Sequence, residues 1–73
     1  MPLRPVTFRE VVRKLKAAGF IQVSQKGNHL KFLKRTSAGT LTTIIPRHRD
    51  IAVGTLRSIL RQANISTDAF DEL

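Results

Sequence analysis

Hydrophobic positions along the chain change their period twice, and each change marks a boundary between elements. Phe8, Val11, Val12 and Leu15 recur at i, i+3, i+4 and i+7, one stripe of a helix whose remaining surface carries Arg9, Arg13, Lys14 and Lys16. Thr7-Phe8-Arg9-Glu10 has capping-box spacing, in which the Thr hydroxyl and the Glu carboxylate each satisfy a free N–H at the helix opening. Gly19 suits the left-handed residue that ends the helix. From Phe20 the period falls to two. Residues 20–25 read as a strand, Lys26-Gly27-Asn28 as a hairpin turn, and residues 29–35 as a second strand. In that second strand Leu30 and Phe32 face a core, and His29, Lys31, Leu33 and Arg35 face away from it. Thr36-Ser37-Ala38-Gly39 is a further turn, and the β-branched run at 40–45 is a third strand stopped by Pro46, which has no N–H for a ladder. Helical spacing returns at Leu56, Ile59, Leu60 and Ala63, with Gly54 near its start permitting close approach of a backbone or a phosphate. Ser66-Thr67-Asp68 has the look of an N-cap with an acid in the first turn, which predicts a last short helical piece over 69–73.

These elements make an α+β domain spanning 1–73, in the order α-β-β-β-α with a short C-terminal helical tail. A three-stranded antiparallel sheet with both helices on one face buries both apolar stripes and leaves the other sheet face free, bearing His29 and Lys31. Seventy-three residues cannot divide their apolar side chains between two cores. The 23 Val, Ile, Leu and Phe against 18 charged residues are too many for a disordered chain, and too interrupted for a membrane span. The chain lacks cysteine, so disulfides, Cys-based zinc sites and thiol nucleophiles are excluded. Its start has no apolar run of the kind that opens an export signal, and the expected location is cytoplasmic.

Charge changes this picture most. Thirteen Lys and Arg against five Asp and Glu give +8; through Arg61 only two acids offset all thirteen bases, leaving +11 there and −3 in the last twelve residues. A basic body of this kind points to a polyanionic partner. With no Trp or Tyr and four Phe, stacking platforms for single-stranded bases are scarce, so contacts to RNA must lean on charge and polar groups. Metal chemistry fits badly, since His29 and His48 are far apart and Asp50 is the one acid near either. Paired-carboxylate catalysis fails as well: Glu10 is used in a cap, and the remaining acids besides Asp50 cluster in a tail expected to fray. No glycine-rich nucleotide loop is present.

What remains is the run from Lys26 to Phe32. His29 opens a strand, with Lys31 two residues on and on the same face. One reading is a solvated hairpin edge. The other sets the imidazole beside a bound phosphodiester, where two ammonium groups disfavour a charged ring and leave a base able to take a proton from an RNA 2′-hydroxyl. Arg47, His48 and Arg49, stiffened by Pro46, are read as phosphate contacts.

Together these segments resemble the HicA toxins, mRNA interferases of toxin–antitoxin pairs. The resemblance lies in Ala18-Gly19-Phe20, in Lys26-Gly27-x-His29-x-x-Phe32, in Ile45-Pro46-Arg47-His48, and in Gly54-Thr55-Leu56-Arg57-x-Ile59-Leu60-x-Gln62-Ala63. It implies a fold like the double-stranded RNA-binding domain and a metal-independent endoribonuclease without a cofactor. The essential histidine falls on His29, with Lys26, Asn28, Lys31, Arg47, His48 and Arg49 as RNA contacts. The usual Gly-Ser-His motif reads Gly27-Asn28-His29 here, and Leu30 stands where a second His or an Arg is common. The partners implied are mRNA and an acidic antitoxin of HicB type that covers the histidine face. The main rival is a non-catalytic RNA-binding module of the same fold. A further rival is a DNA-binding subunit using Arg57 and Arg61 of the second helix.

Overall fold

Thr7 both closes a short strand and caps the first helix, and the fold is built outward from it. In the computed structural model, which describes residues 3–73, β1 (Val6–Thr7) runs directly into α1 (Phe8–Ala17). Met1 and Pro2 of the expected 1–73 domain lie outside the described residues. Thr7 Oγ1 accepts the Glu10 N–H at 3.2 Å, so half of the expected capping box is made. The other half is not: the Glu10 carboxylate turns to Arg13 one turn on, with Arg13 Nε 3.4 Å from Oε2 and a closer contact between Arg13 Nη2 and Oε1. A guanidinium fork meets both carboxylate oxygens at once, which a single backbone N–H cannot. At the other end Gly19 takes φ +99°, the Gly19 N–H donates to Lys16 O and the Phe20 N–H to Leu15 O, a Schellman closure that turns Phe20 into the core.

The sheet is a meander of β2 (Ile21–Lys26), β3 (His29–Thr36) and β4 (Gly39–Pro46), all antiparallel. Gly27, at φ +59°, occupies the first position of the two-residue β2–β3 turn, where tight hairpins favour glycine. Lys26, expected in that turn, ends β2 instead and pairs with His29. Leu30 and Phe32 of β3 and Thr43 and Ile45 of β4 are buried, as period two requires of a sheet with one covered face.

Beyond β4, β5 (Asp50–Ile51) pairs with β1 in the register Val6↔Ile51 and Thr7↔Asp50. Two-residue strands carry no periodicity, so this pairing leaves no mark in the sequence. The chain then enters α2 (Val53–Ala63), whose Leu56, Ile59, Leu60 and Ala63 meet Val11 and Leu15 of α1 and the inner sheet residues in one core. Gly54 lies within α2 with open space where a Cβ would sit, so no neighbouring part of the fold uses the close approach that glycine permits there.

α3 (Thr67–Glu72) follows, capped by Ser66 Oγ, which accepts the Ala69 N–H at 3.1 Å. The tail is not frayed. Phe70 is 2 % exposed, its carbonyl accepts a hydrogen bond from Lys14 Nζ at 2.7 Å, and the same ammonium lies 4.4 Å from its ring centroid. Opposite, Gln62 ties α2 to the outer edge of β4: its Oε1 accepts from the Thr43 hydroxyl at 3.0 Å and from the Ile44 N–H at 3.4 Å. The amide thereby covers part of an edge that would otherwise present open backbone. Among the described residues no helix is long and apolar enough to cross a membrane.

Candidate functional site

Strand register alone assembles the first part of the site. Lys26, His29 and Pro46 are neighbours across the three strands, and Ser24, Lys31 and Ile44 form the adjacent row. Directly opposed residues project from the same face, so both rows lie on the uncovered side of the sheet. His29 and Lys31 are exposed there, while Leu30 and Phe32 between and beyond them are buried. A groove of about 610 Å³ runs over the patch, lined by both rows except Pro46, together with Gly27 and Asn28 of the turn.

Ser24 reaches this row by regular pairing, two residues before Lys26 as Lys31 is two after His29, and an irregularity lies just beyond it. The β2–β3 register shifts between Gln22 and Ser24, so Val23 is an extra residue, and Ile21, Ser24 and Lys26 share the open face despite their mixed parity. Strict alternation sends Ile21 and Ser24 to opposite faces, which is why the sequence gives no sign that Ile21 joins the open face. Leu30, the position at which the family motif often carries a second basic residue, is 5 % exposed and packs into the core. Its apolar identity therefore serves packing and takes nothing from the groove.

No carboxylate lines this groove. The imidazole has two ammonium groups for company and no acid to orient it. Chemically such a patch can hold an anion such as a phosphodiester, and it offers one ring able to exchange a proton. Among the described residues no three His, Cys, Asp or Glu side chains gather closely enough to hold a metal ion.

Arg47, His48 and Arg49 do not enter the groove. They line a second, larger depression of about 870 Å³ together with Arg9, Glu10 and Arg13 at the opening of α1. The two depressions are joined by backbone, since the Arg47 N–H donates to the Asn28 carbonyl at 2.6 Å. At its far end the loop is held by the Phe8 N–H, which donates to Arg49 O at 3.0 Å. In this cleft Glu10 and Arg13 are coupled. The guanidinium holds the Glu10 carboxyl below its ordinary value of 4.5, and the carboxylate in turn raises that of Arg13. Arg9 and Arg13 are visible in the sequence as the polar side of a helix, but their meeting with the 47–49 loop depends on the β1–β5 pairing.

Comparison with known protein families matches residues 8–65 to the HicA toxin of bacterial toxin–antitoxin pairs. The chain belongs to the HicA toxin family. No curated protein matches it. The stretch shared with other HicA toxins runs from the first residue of α1 past the end of α2, and it takes in every residue of both depressions except Thr7. Membership makes this protein the toxin of a pair whose other member is an antitoxin. In this HicA toxin β1 and α3 lie outside the matched stretch, although β1 positions the basic loop and α3 completes the core.

Proposed function

We propose that this HicA toxin is an endoribonuclease that cleaves mRNA by transesterification, with His29 as general base. The observation that carries the reading is an exposed His29 that shares an open groove with Lys26 and Lys31, with no carboxylate among the described residues lining it. The ring takes the proton of a ribose 2′-hydroxyl, the 2′-oxygen attacks the adjacent phosphorus, and the bond from phosphorus to the 5′-oxygen breaks. The products are a 2′,3′-cyclic phosphate and a 5′-hydroxyl, whose oxygen takes its proton from Lys31 or from water. Because the nucleophile belongs to the RNA, the step needs no activated water and no cofactor. Lys26, Lys31 and Asn28 hold the reacting phosphate, and Arg47, His48 and Arg49 contact the backbone beyond it. An acidic HicB-type antitoxin covering the groove would compete with RNA for the same charge.

His29→Ala tests the assignment. Loss of a general base costs roughly 10²- to 10⁴-fold in rate, so the variant should lose cleavage of mRNA in chelator-treated buffer and lose growth arrest, while keeping its fold and much of its RNA affinity. Cleavage at the parent rate refutes the role of His29. The single ring in the groove also favours a second reading, a non-catalytic RNA-binding module. That reading holds if the parent protein yields no cyclic phosphate ends on long incubation yet binds RNA with steep salt dependence.

A further inference from the structure

We infer that the cleft between α1 and the 47–49 loop is a second phosphodiester-binding site, which grips the RNA backbone through Arg9, Arg13, Arg47 and Arg49 at a distance from the reacting phosphate. The inference rests on the RNA-directed reading above for the identity of the polyanion.

Four guanidinium groups and one carboxylate, that of Glu10, line the cleft, and none of Lys26, His29 and Lys31 does. The loop is built before any ligand arrives. Its Arg47 N–H is bonded to Asn28 O, its His48 N–H to Pro46 O at 2.9 Å, and its Arg49 carbonyl to the Phe8 N–H. β1–β5 pairing fixes the chain immediately after it. These are backbone bonds, so they set the loop's path and leave its side chains uncommitted. Arg9, Arg47 and Arg49 are exposed and have no side-chain partner among the described residues. Planar guanidinium forks match phosphate oxygens two at a time, which suits a site that holds rather than reacts.

The same lining argues against a protein occupant as the primary ligand. Protein interfaces draw most of their energy from apolar or aromatic anchors in desolvated pockets, and the one large apolar residue at the cleft, Phe8, is already half-buried against the core. A partner with a regular row of negative charges is favoured instead. Glu10 tempers the site, because its carboxylate occupies Arg13 in the free protein and repels an incoming phosphate.

The test uses the full chain carrying His29→Ala, so that RNA survives the measurement, with a fluorescently labelled single-stranded RNA and a titration of salt. Arg9→Gln with Arg49→Gln should lower the slope of log K against log salt by about 1.4, two phosphate contacts at about 0.7 each. Taking the affinities to converge near 1 M salt, this is about 25-fold weaker binding near 0.1 M salt. Arg57→Gln with Arg61→Gln removes the same charge from the exposed face of α2 and should change binding far less. Glu10→Gln should tighten binding, since the cap at Thr7 uses the backbone of residue 10. Melting curves of each variant establish that it folds.

Equal losses from the α2 pair and the cleft pair overturn the site in favour of net charge. Unchanged RNA binding with weakened antitoxin binding assigns the cleft to the protein partner and overturns it too. If the parent fails to cleave RNA but the cleft pair still weakens binding, the nuclease reading falls and the cleft stands. If the parent cleaves and the cleft pair binds like the parent, the cleft falls alone.

Discussion

Phe70→Ala is the perturbation that most directly probes how this small domain stays folded. α3 has six residues, too few to be helical by themselves in water, so its place depends on what Phe70 buries. The ring is 2 % exposed and belongs to the same cluster as Val11, Leu15, Leu56 and Leu60. Truncating a buried Phe to Ala costs about 3–5 kcal/mol, from lost transfer energy and the cavity left behind. The ammonium of Lys14 also loses the aromatic face 4.4 Å from it, though its bond to the residue 70 carbonyl survives if the helix stays docked. A chain of 73 residues has a total stability of about 4–11 kcal/mol at 0.05–0.15 kcal/mol per residue. The substitution therefore removes a large share of it. At about 4–8 °C per kcal/mol for a domain of this size, the melting temperature should fall by about 12–40 °C. Thermal melts followed by far-UV circular dichroism, with urea unfolding to give the free energy, measure the effect. A loss below about 1 kcal/mol with an unchanged urea slope would show that the ring is not part of the cooperative core, and the argument for α3 would fail.

Two further outcomes follow from single contacts. Gln62→Ala should cost about 0.5–1.5 kcal/mol, the usual net worth of a hydrogen bond, because the exposed-edge Ile44 N–H can turn to water and the buried Thr43 hydroxyl retains Ile59 O at 3.4 Å. A double-mutant cycle with Thr43→Val should give a coupling of about 0.5 kcal/mol or more, and strict additivity would mean that the amide and hydroxyl do not act together. Glu10 should contribute to stability only above the acid range. Its carboxyl is held below 4.5 by Arg13, so the pair stabilises the fold above the ordinary carboxylate range and is lost as pH falls through the lowered value. The stability difference between parent and Glu10→Gln should then shrink from about pH 6 to about pH 2, and shrink with added salt since both groups are exposed; a difference that is flat with pH would contradict the pairing.

The pattern of periods located α1, the three long strands and α2, because each has enough residues on one face for a stripe to show. It also brought His29 and Lys31 to the free sheet face and Leu30 and Phe32 to the core. What it missed depends on pairings between distant segments. The β1–β5 ladder is two residues long, yet it carries the basic loop to the start of α1. Ile21 shares the open sheet face with His29 and Lys31 only through the extra residue at Val23. Glu10 has two available partners at nearly the same helical spacing, and cap spacing cannot say which one it takes. The acids of the tail point to fraying, whereas the buried Phe70 holds it in the core.

The two depressions differ in one chemical respect that bears on how work would divide between them. The groove's cationic groups are the amines of Lys26 and Lys31, whereas the cleft holds arginines with one carboxylate and His48. An ammonium can surrender a proton to a leaving oxygen, while a guanidinium stays protonated at any pH that a protein survives. With Leu30 turned into the core, no second imidazole lines the groove among the described residues. On the proposed reading, the leaving oxygen must then draw its proton from a lysine of the groove or from water. The arginines can only hold. A substrate long enough to reach both sites would thus be anchored by groups that take no part in the proton transfers. Its reacting phosphate would lie over the sheet, where strand register fixes His29 and Lys31 on the same face, two residues apart. Pairing across three strands, rather than a mobile loop, sets that geometry, and the Asn28–Arg47 bond fixes the groove against the grip.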